Sequence, residues 1–156
     1  MVKNNVTRML ESLGISFQAF ELPAEKLSAL EAADFLGVDP ALVYKTIVAT
    51  RSTSAKPVLA LVSALKEVDL KSLARTLGEK KVHLASQKQA EQLTGLQTGG
   101  ISPLALLQRN FQVVVDDTAQ ALQEIYISGG QRGLNIRLLT EDIIKLTNAI
   151  VAPISS

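Results

Sequence analysis

The sequence predicts a single α/β domain, a mixed sheet flanked by helices. Three observations lead there. The 156 residues are close to the common size of one domain. Helical and strand patterns alternate along the chain with no linker or internal repeat. The late strands lie close enough to pair locally, which breaks the strand–helix–strand rhythm of a uniform parallel sheet. A composition of 47% hydrophobic and 20% charged residues marks a folded chain. With no tryptophan and few aromatics, its core must rely on Leu, Ile, Val and Ala.

"NNVTRMLESLG" sets Val6, Met9, Leu10 and Leu13 at helical spacing between an asparagine and Gly14. "ISFQAFEL" reads as a strand. "SALEAADFLG" opens with the capping pair Ser28 and Glu31 and closes at Gly37. In "DPALVYK", Asp39 caps and Pro40 takes the first helical position. That helix can last only one or two turns, because "TIVAT" is β-branched and reads as a strand. "KPVLALVSA" is apolar enough for a central strand, and "DLKSLARTLG" is a helix with Leu70, Leu73, Ala74 and Leu77 on one face. "KVHLA" is a short strand, and "SQKQAEQLTG" a helix with the capping pair Ser86 and Gln89. "FQVVVD", "EIYIS" and "LNIRLL" are strands, the last two joined as a hairpin by "GGQRG". "TEDIIKLTNAI" is a final helix with acids in its first turn, where the helix dipole favours them.

Composition removes several function classes. Without cysteine there can be no disulfide, thiolate nucleophile or cysteine-bound zinc. The single histidine, His83, cannot build a histidine-rich metal centre, and "KKVHLAS" directs it from a strand toward solvent. No nucleophile-elbow or carboxylate-ligand spacing accompanies it. A carboxylate-bound metal stays open, although no ligand spacing suggests one, and no cofactor is expected. No apolar run approaches the ~20 residues of a bilayer span, and "MVKNNVTRML" lacks an apolar signal core, so the expectation is a cytoplasmic protein with no membrane partner. The net charge of +1 is uneven: residues 45–88 carry nine basic and three acidic groups. That segment suits either a polyanion or simply a solvated face.

Three stretches could carry chemistry. Lys45 interrupts the apolar run "LVYKTIVATR", where an unpaired ammonium would be costly. "TGGISP" (98–103) and "SGGQRG" (128–133) hold glycine pairs whose N–H groups a carboxylate, phosphate or oxyanion could approach closely. Each also has a plain structural explanation: a snorkelling lysine, a connection whose Ser-Pro starts a helix, and a hairpin turn. Neither loop has nucleotide-phosphate spacing.

Taken together, "VYKT" (43–46), "GGISPL" (99–104) and "YISGGQRGLNI" (126–136) resemble the YbaK/EbsC family of aminoacyl-tRNA deacylases in order and separation. The resemblance runs over almost the whole chain. It implies one editing domain over residues 1–156, with its sheet curved toward a barrel, of the type also inserted in prolyl-tRNA synthetases. It further implies metal-free, substrate-assisted hydrolysis of mischarged tRNA(Pro), Cys-tRNA(Pro) first. The alternatives are Ala-tRNA(Pro) or a broader range, or a tRNA-binding module without turnover. Lys45, Gly100 and Ile101 would be catalytic. Leu22, Tyr44, Thr46, Gly99, Ser102, Pro103, Ser128, Gly129, Gly130, Arg132 and Asn135 would bind substrate. The tRNA(Pro) acceptor end would meet Lys66, Lys71 and Arg75 on the basic segment, with prolyl-tRNA synthetase as a candidate partner.

The chain departs from the family pattern twice. Gly133-Leu134-Asn135-Ile136 stands where the family commonly reads Gly-Leu-Asp-Ile. Leu22 stands near where cysteine-specific relatives often carry tyrosine. Both changes bear on the preferred amino acid, which the sequence leaves open.

Overall fold

Side-chain caps fix the starts of four of the five described α-helices. The computed structural model describes residues 3–51 and 56–156. Its helices are α1 (Asn5–Ser12), α2 (Ala29–Leu36), α3 (Leu70–Leu77), α4 (Gln87–Thr94) and α5 (Thr140–Thr147). Ser28 and Ser86 cap α2 and α4 reciprocally with Glu31 and Gln89, as their spacing predicts. Asp39 accepts from the Ala41 N–H, but the segment after it is only a 3-10 turn, Pro40–Leu42.

The strands are β1 (Phe17–Glu21), β2 (Tyr44–Arg51), β3 (Val58–Ser63), β4 (Val82–Leu84), β5 (Gln112–Asp116), β6 (Glu124–Ser128), β7 (Leu134–Leu139) and β8 (Ile150–Ala152). They form a three-stranded antiparallel sheet, β1-β7-β6, and a five-stranded mixed sheet, β4-β2-β3-β5-β8. In the larger sheet β2 runs antiparallel to β3 and β4, while β3, β5 and β8 are mutually parallel. A bridge between Val43 and Tyr126 joins the two sheets. They do not close into a barrel: the one curved sheet expected from the resemblance is two sheets meeting at that bridge.

β3 occupies the middle of the larger sheet and is buried throughout, which explains its uninterrupted apolar run. Its residues alternate between two cores. Leu59 and Leu61 pack with Val113, Ile125, Ile136 and Leu138. Val58, Ala60 and Val62 pack with Leu73, Ala74 and Ile154. Burying a side chain of this size contributes about 1.5–3 kcal/mol.

β8 is absent from the sequence-level expectation, which carried the last helix through to Ile150. Asn148 ends that helix in the left-handed conformation, φ +52°, which asparagine tolerates. The strand β2 starts at Tyr44, two residues earlier than "TIVAT" suggests, and so includes Lys45. Among the described residues, no helix is long and apolar enough to cross a membrane.

Candidate functional site

The cavity forms beside the first half of β2. β4 pairs only with Ala49–Arg51, whereas β3 pairs with Tyr44–Ala49. The segment from Val43 to Ile47 lines a cavity of about 260 Å³. Leu22, Ser28 and Ala32 close one flank, Thr98, Gly99 and Ile101 another, and Ser128, Leu134 and Asn135 the hairpin side.

Three loops are pressed together around this cavity. The N–H of Leu22 donates to the Gly133 carbonyl. A Cβ on Gly133 would lie 3.2 Å from Ala24, and one on Gly100 only 2.8 Å from backbone atoms of Gln131 and Arg132. Glycine is required at Gly100 because backbone meets backbone there and neither side can yield cheaply.

Lys45 is 22% exposed, and its Nζ lies 3.2 Å from Oε1 of Glu67, a side chain 82% exposed. Glu67 is tied at its backbone, where its N–H and C=O each bond to Ser156. An ion pair so open to water is worth ~0–1 kcal/mol, and an incoming anion can displace the carboxylate. The Lys45 charge thus has a weak partner rather than none.

Thr46 Oγ1 and Asn135 Oδ1 are buried without a hydrogen-bond partner, and both residues line this cavity. Asn135 is only 6% exposed. Native proteins leave few buried polar atoms unpaired, because each costs about 1–3 kcal/mol. Two at one cavity mark a place that a polar ligand would complete.

Of the expected residues, the structure gathers Leu22, Tyr44, Lys45, Thr46, Gly99, Ile101, Ser128 and Asn135 around the cavity. It places the others differently. Gly100 is buried behind the loop and its N–H donates to the Gln97 carbonyl, so it is not free to donate to a ligand in this conformation. The Ile101 N–H has no acceptor among the described residues. Ser102 is fully buried and caps the 3-10 turn Pro103–Leu106. The Gly129 N–H is spent on the Leu134 carbonyl within the hairpin. Gly130 lines a separate hollow with Asn4, Val6 and Ala105. Arg132 turns its Nε to the Thr98 carbonyl, 2.8 Å away, and does not line the cavity. Tyr44 contributes to the lining, but its hydroxyl pairs with Thr118 at 2.8 Å, and burial raises its pKa.

Lys66, Lys71 and Arg75 are exposed, the last two four residues apart on α3. Sequence reasoning passed over Thr98, although it begins the quoted "TGGISP". It also passed over Glu67 and Glu91, whose partners are set by the fold and leave no local signal.

The fold is a mixed α/β domain in which a lysine and two unpaired buried oxygens meet at one cavity. The aminoacyl-tRNA editing domain model matches residues 24–146, and the chain belongs to that family. It is 35% identical over 156 residues to the Enterococcus faecalis protein named "Putative Cys-tRNA(Pro)/Cys-tRNA(Cys) deacylase EbsC", covering 99% of this chain and 94% of that one. It is 30% identical to a proline–tRNA ligase of Desulforamulus reducens over 122 residues, which are 78% of this chain but 21% of the ligase. Among solved structures, one described as "a putative trans-editing enzyme for prolyl tRNA synthetase" superposes with a TM-score of 0.83 at 25% identity. That match covers 100% of this chain and 99% of the other. Hypothetical protein APE2540 shares the fold, with a TM-score of 0.89 over 98% of this chain and 100% of its own, at 24% identity.

Proposed function

We propose that this protein hydrolyses the ester of mischarged aminoacyl-tRNA(Pro), with Cys-tRNA(Pro) as the first substrate and Ala-tRNA(Pro) as the second. The observation that carries this reading is the cavity itself, where Lys45 stands with the unpaired oxygens of Thr46 and Asn135. Family membership supplies the substrate class, and the names of the relatives supply tRNA(Pro). A synthetase discriminates poorly against amino acids of similar size by binding alone, so a second site that removes them has a purpose.

In this reading the terminal phosphate or ribose of the tRNA displaces Glu67 from Lys45, whose charge then anchors the acceptor end. The free Ile101 N–H polarises the ester carbonyl, a donor interaction typically worth ~3 kcal/mol. Gly100 acts by spacing, bringing the loop against Gln131 and Arg132. The attacking group is water or, for a cysteinyl ester, the substrate's own thiol. An aminoacyl ester is already activated, so this route needs no enzyme nucleophile. Prolyl-tRNA synthetase is the proposed partner for tRNA identity, and the cytoplasm the proposed place of action.

The test is loss of ester from Cys-tRNA(Pro) and Ala-tRNA(Pro) with purified protein, with and without prolyl-tRNA synthetase. Faster hydrolysis of either than in buffer supports the reading; no acceleration of either ends it. Asn135, in place of the family's usual aspartate, favours one other reading: a module that binds acylated tRNA without turnover. A gel shift without deacylation would select it.

A further inference from the structure

The loop carrying the free Ile101 N–H is held from both sides one turn upstream. The Thr98 N–H donates to Glu91 Oε2 at 2.8 Å, and the Thr98 carbonyl accepts from Arg132 Nε at 2.8 Å. Both peptide groups flanking Thr98 are therefore fixed by charged side chains, one from α4 and one from the β6–β7 hairpin. Charge-assisted bonds of this kind are the stronger class. Glu91 lies in the field of Arg132 and Lys26, and the Thr98 N–H bond is the first cause holding its carboxyl below the ordinary glutamate range. Directly after Thr98, Gly99 adopts φ +94° and packs its Cα side against Lys26 and Leu27. Gly100 then abuts Arg132 and Gln131.

We propose that Glu91 and Arg132 are positioning residues that clamp the peptide groups of Thr98 and thereby set the Ile101 N–H beside the cavity. Neither side chain lines the cavity, so each acts through the loop. The clamp rests on the proposed deacylation for its kinetic consequence, but not for its geometry. A donor displaced by about 1 Å loses on the order of 100-fold in rate, whereas anchoring by Lys45 is unchanged. The clamp therefore governs kcat, and Lys45 governs KM.

The experiment compares Glu91→Ala, Glu91→Gln and Arg132→Met in the full chain. Glu91→Ala and Arg132→Met should lower kcat for Cys-tRNA(Pro) or Ala-tRNA(Pro) about 10- to 100-fold, with KM within about twofold. Glu91→Gln should recover most of that loss, since its amide oxygen still accepts from Thr98. An unchanged kcat, a loss confined to KM, or a glutamine variant as impaired as the alanine one overturns the clamp. Amide NMR provides the second readout. In Glu91→Ala, but not Glu91→Gln, the Gly99 and Ile101 resonances should move and the Thr98 N–H should exchange faster. If the wild type hydrolyses neither ester, the proposed function falls while the clamp is decided by these spectra alone; unmoved resonances overturn it.

Discussion

At Lys45, structure and charge make opposite predictions for two neighbouring side chains. Lys45→Ala should raise KM and so lower kcat/KM for the acylated tRNA about 10- to 100-fold, as loss of a hydrogen bond to a charged group typically does. Its melting temperature should stay within a few degrees of wild type, because the ion pair it removes is open to water. Glu67→Gln removes the competing carboxylate and should lower KM, by at most about fivefold for an ion pair worth ~1 kcal/mol. Steady-state deacylation at fixed ionic strength reads both. Gly100→Ala tests the close backbone approach: a Cβ 2.8 Å from Gln131 and Arg132 must push the loops apart. Thermal unfolding should register a loss of about 1–3 kcal/mol, with activity falling further than stability.

Elements were legible in the sequence where their determinants were local. The capping pairs of α2 and α4, the glycine ends and the β6–β7 hairpin each depend on residues a few positions apart, and the structure contains all of them. β8 was not legible, because a three-residue strand forms only where β5 offers its edge, with Ile150 beside Val114. The separation into two sheets depends on the same kind of distant pairing. At the site, Lys45 and the two glycine loops stood out through composition. The engagement of the Gly100 N–H with Gln97 and the turning of Arg132 toward Thr98 did not, because side-chain direction in a loop is set by tertiary packing. α3 carries its own test. Lys71→Glu with Arg75→Glu should weaken tRNA binding and flatten its dependence on salt, by roughly one counterion for each phosphate no longer neutralised. Filter binding across a salt series measures this, and unchanged slopes would remove α3 from the interface.

Across the whole molecule, acid sensitivity should come from exposed helix caps and from the clamp, more than from the core. Asp69, Glu31 and Glu91 are each held below their ordinary carboxyl range, first by backbone N–H bonds from Ser72, Ser28 and Thr98 respectively. A depressed carboxyl stabilises the fold above its unfolded pKa, and that contribution is lost as pH falls through the folded value. Thermal stability should therefore be flat from pH 7 to about 5 and decline below about pH 4. Melting curves across that range are the measurement, and Glu91→Gln should flatten part of the decline. The interlocked loops carry a different consequence, for how such a domain can diverge. Where Gly100 meets Arg132 and Gly133 meets Ala24, the parts that touch are main chain, so no one loop can be lengthened or re-aimed without moving the other two. Under the proposed deacylation, new amino-acid preferences would be written in the few side chains free to vary around a fixed frame, Leu22, Thr46 and Asn135 among them. Descendants of one ancestor could exchange substrates through one or two codons while their backbones stayed superimposable.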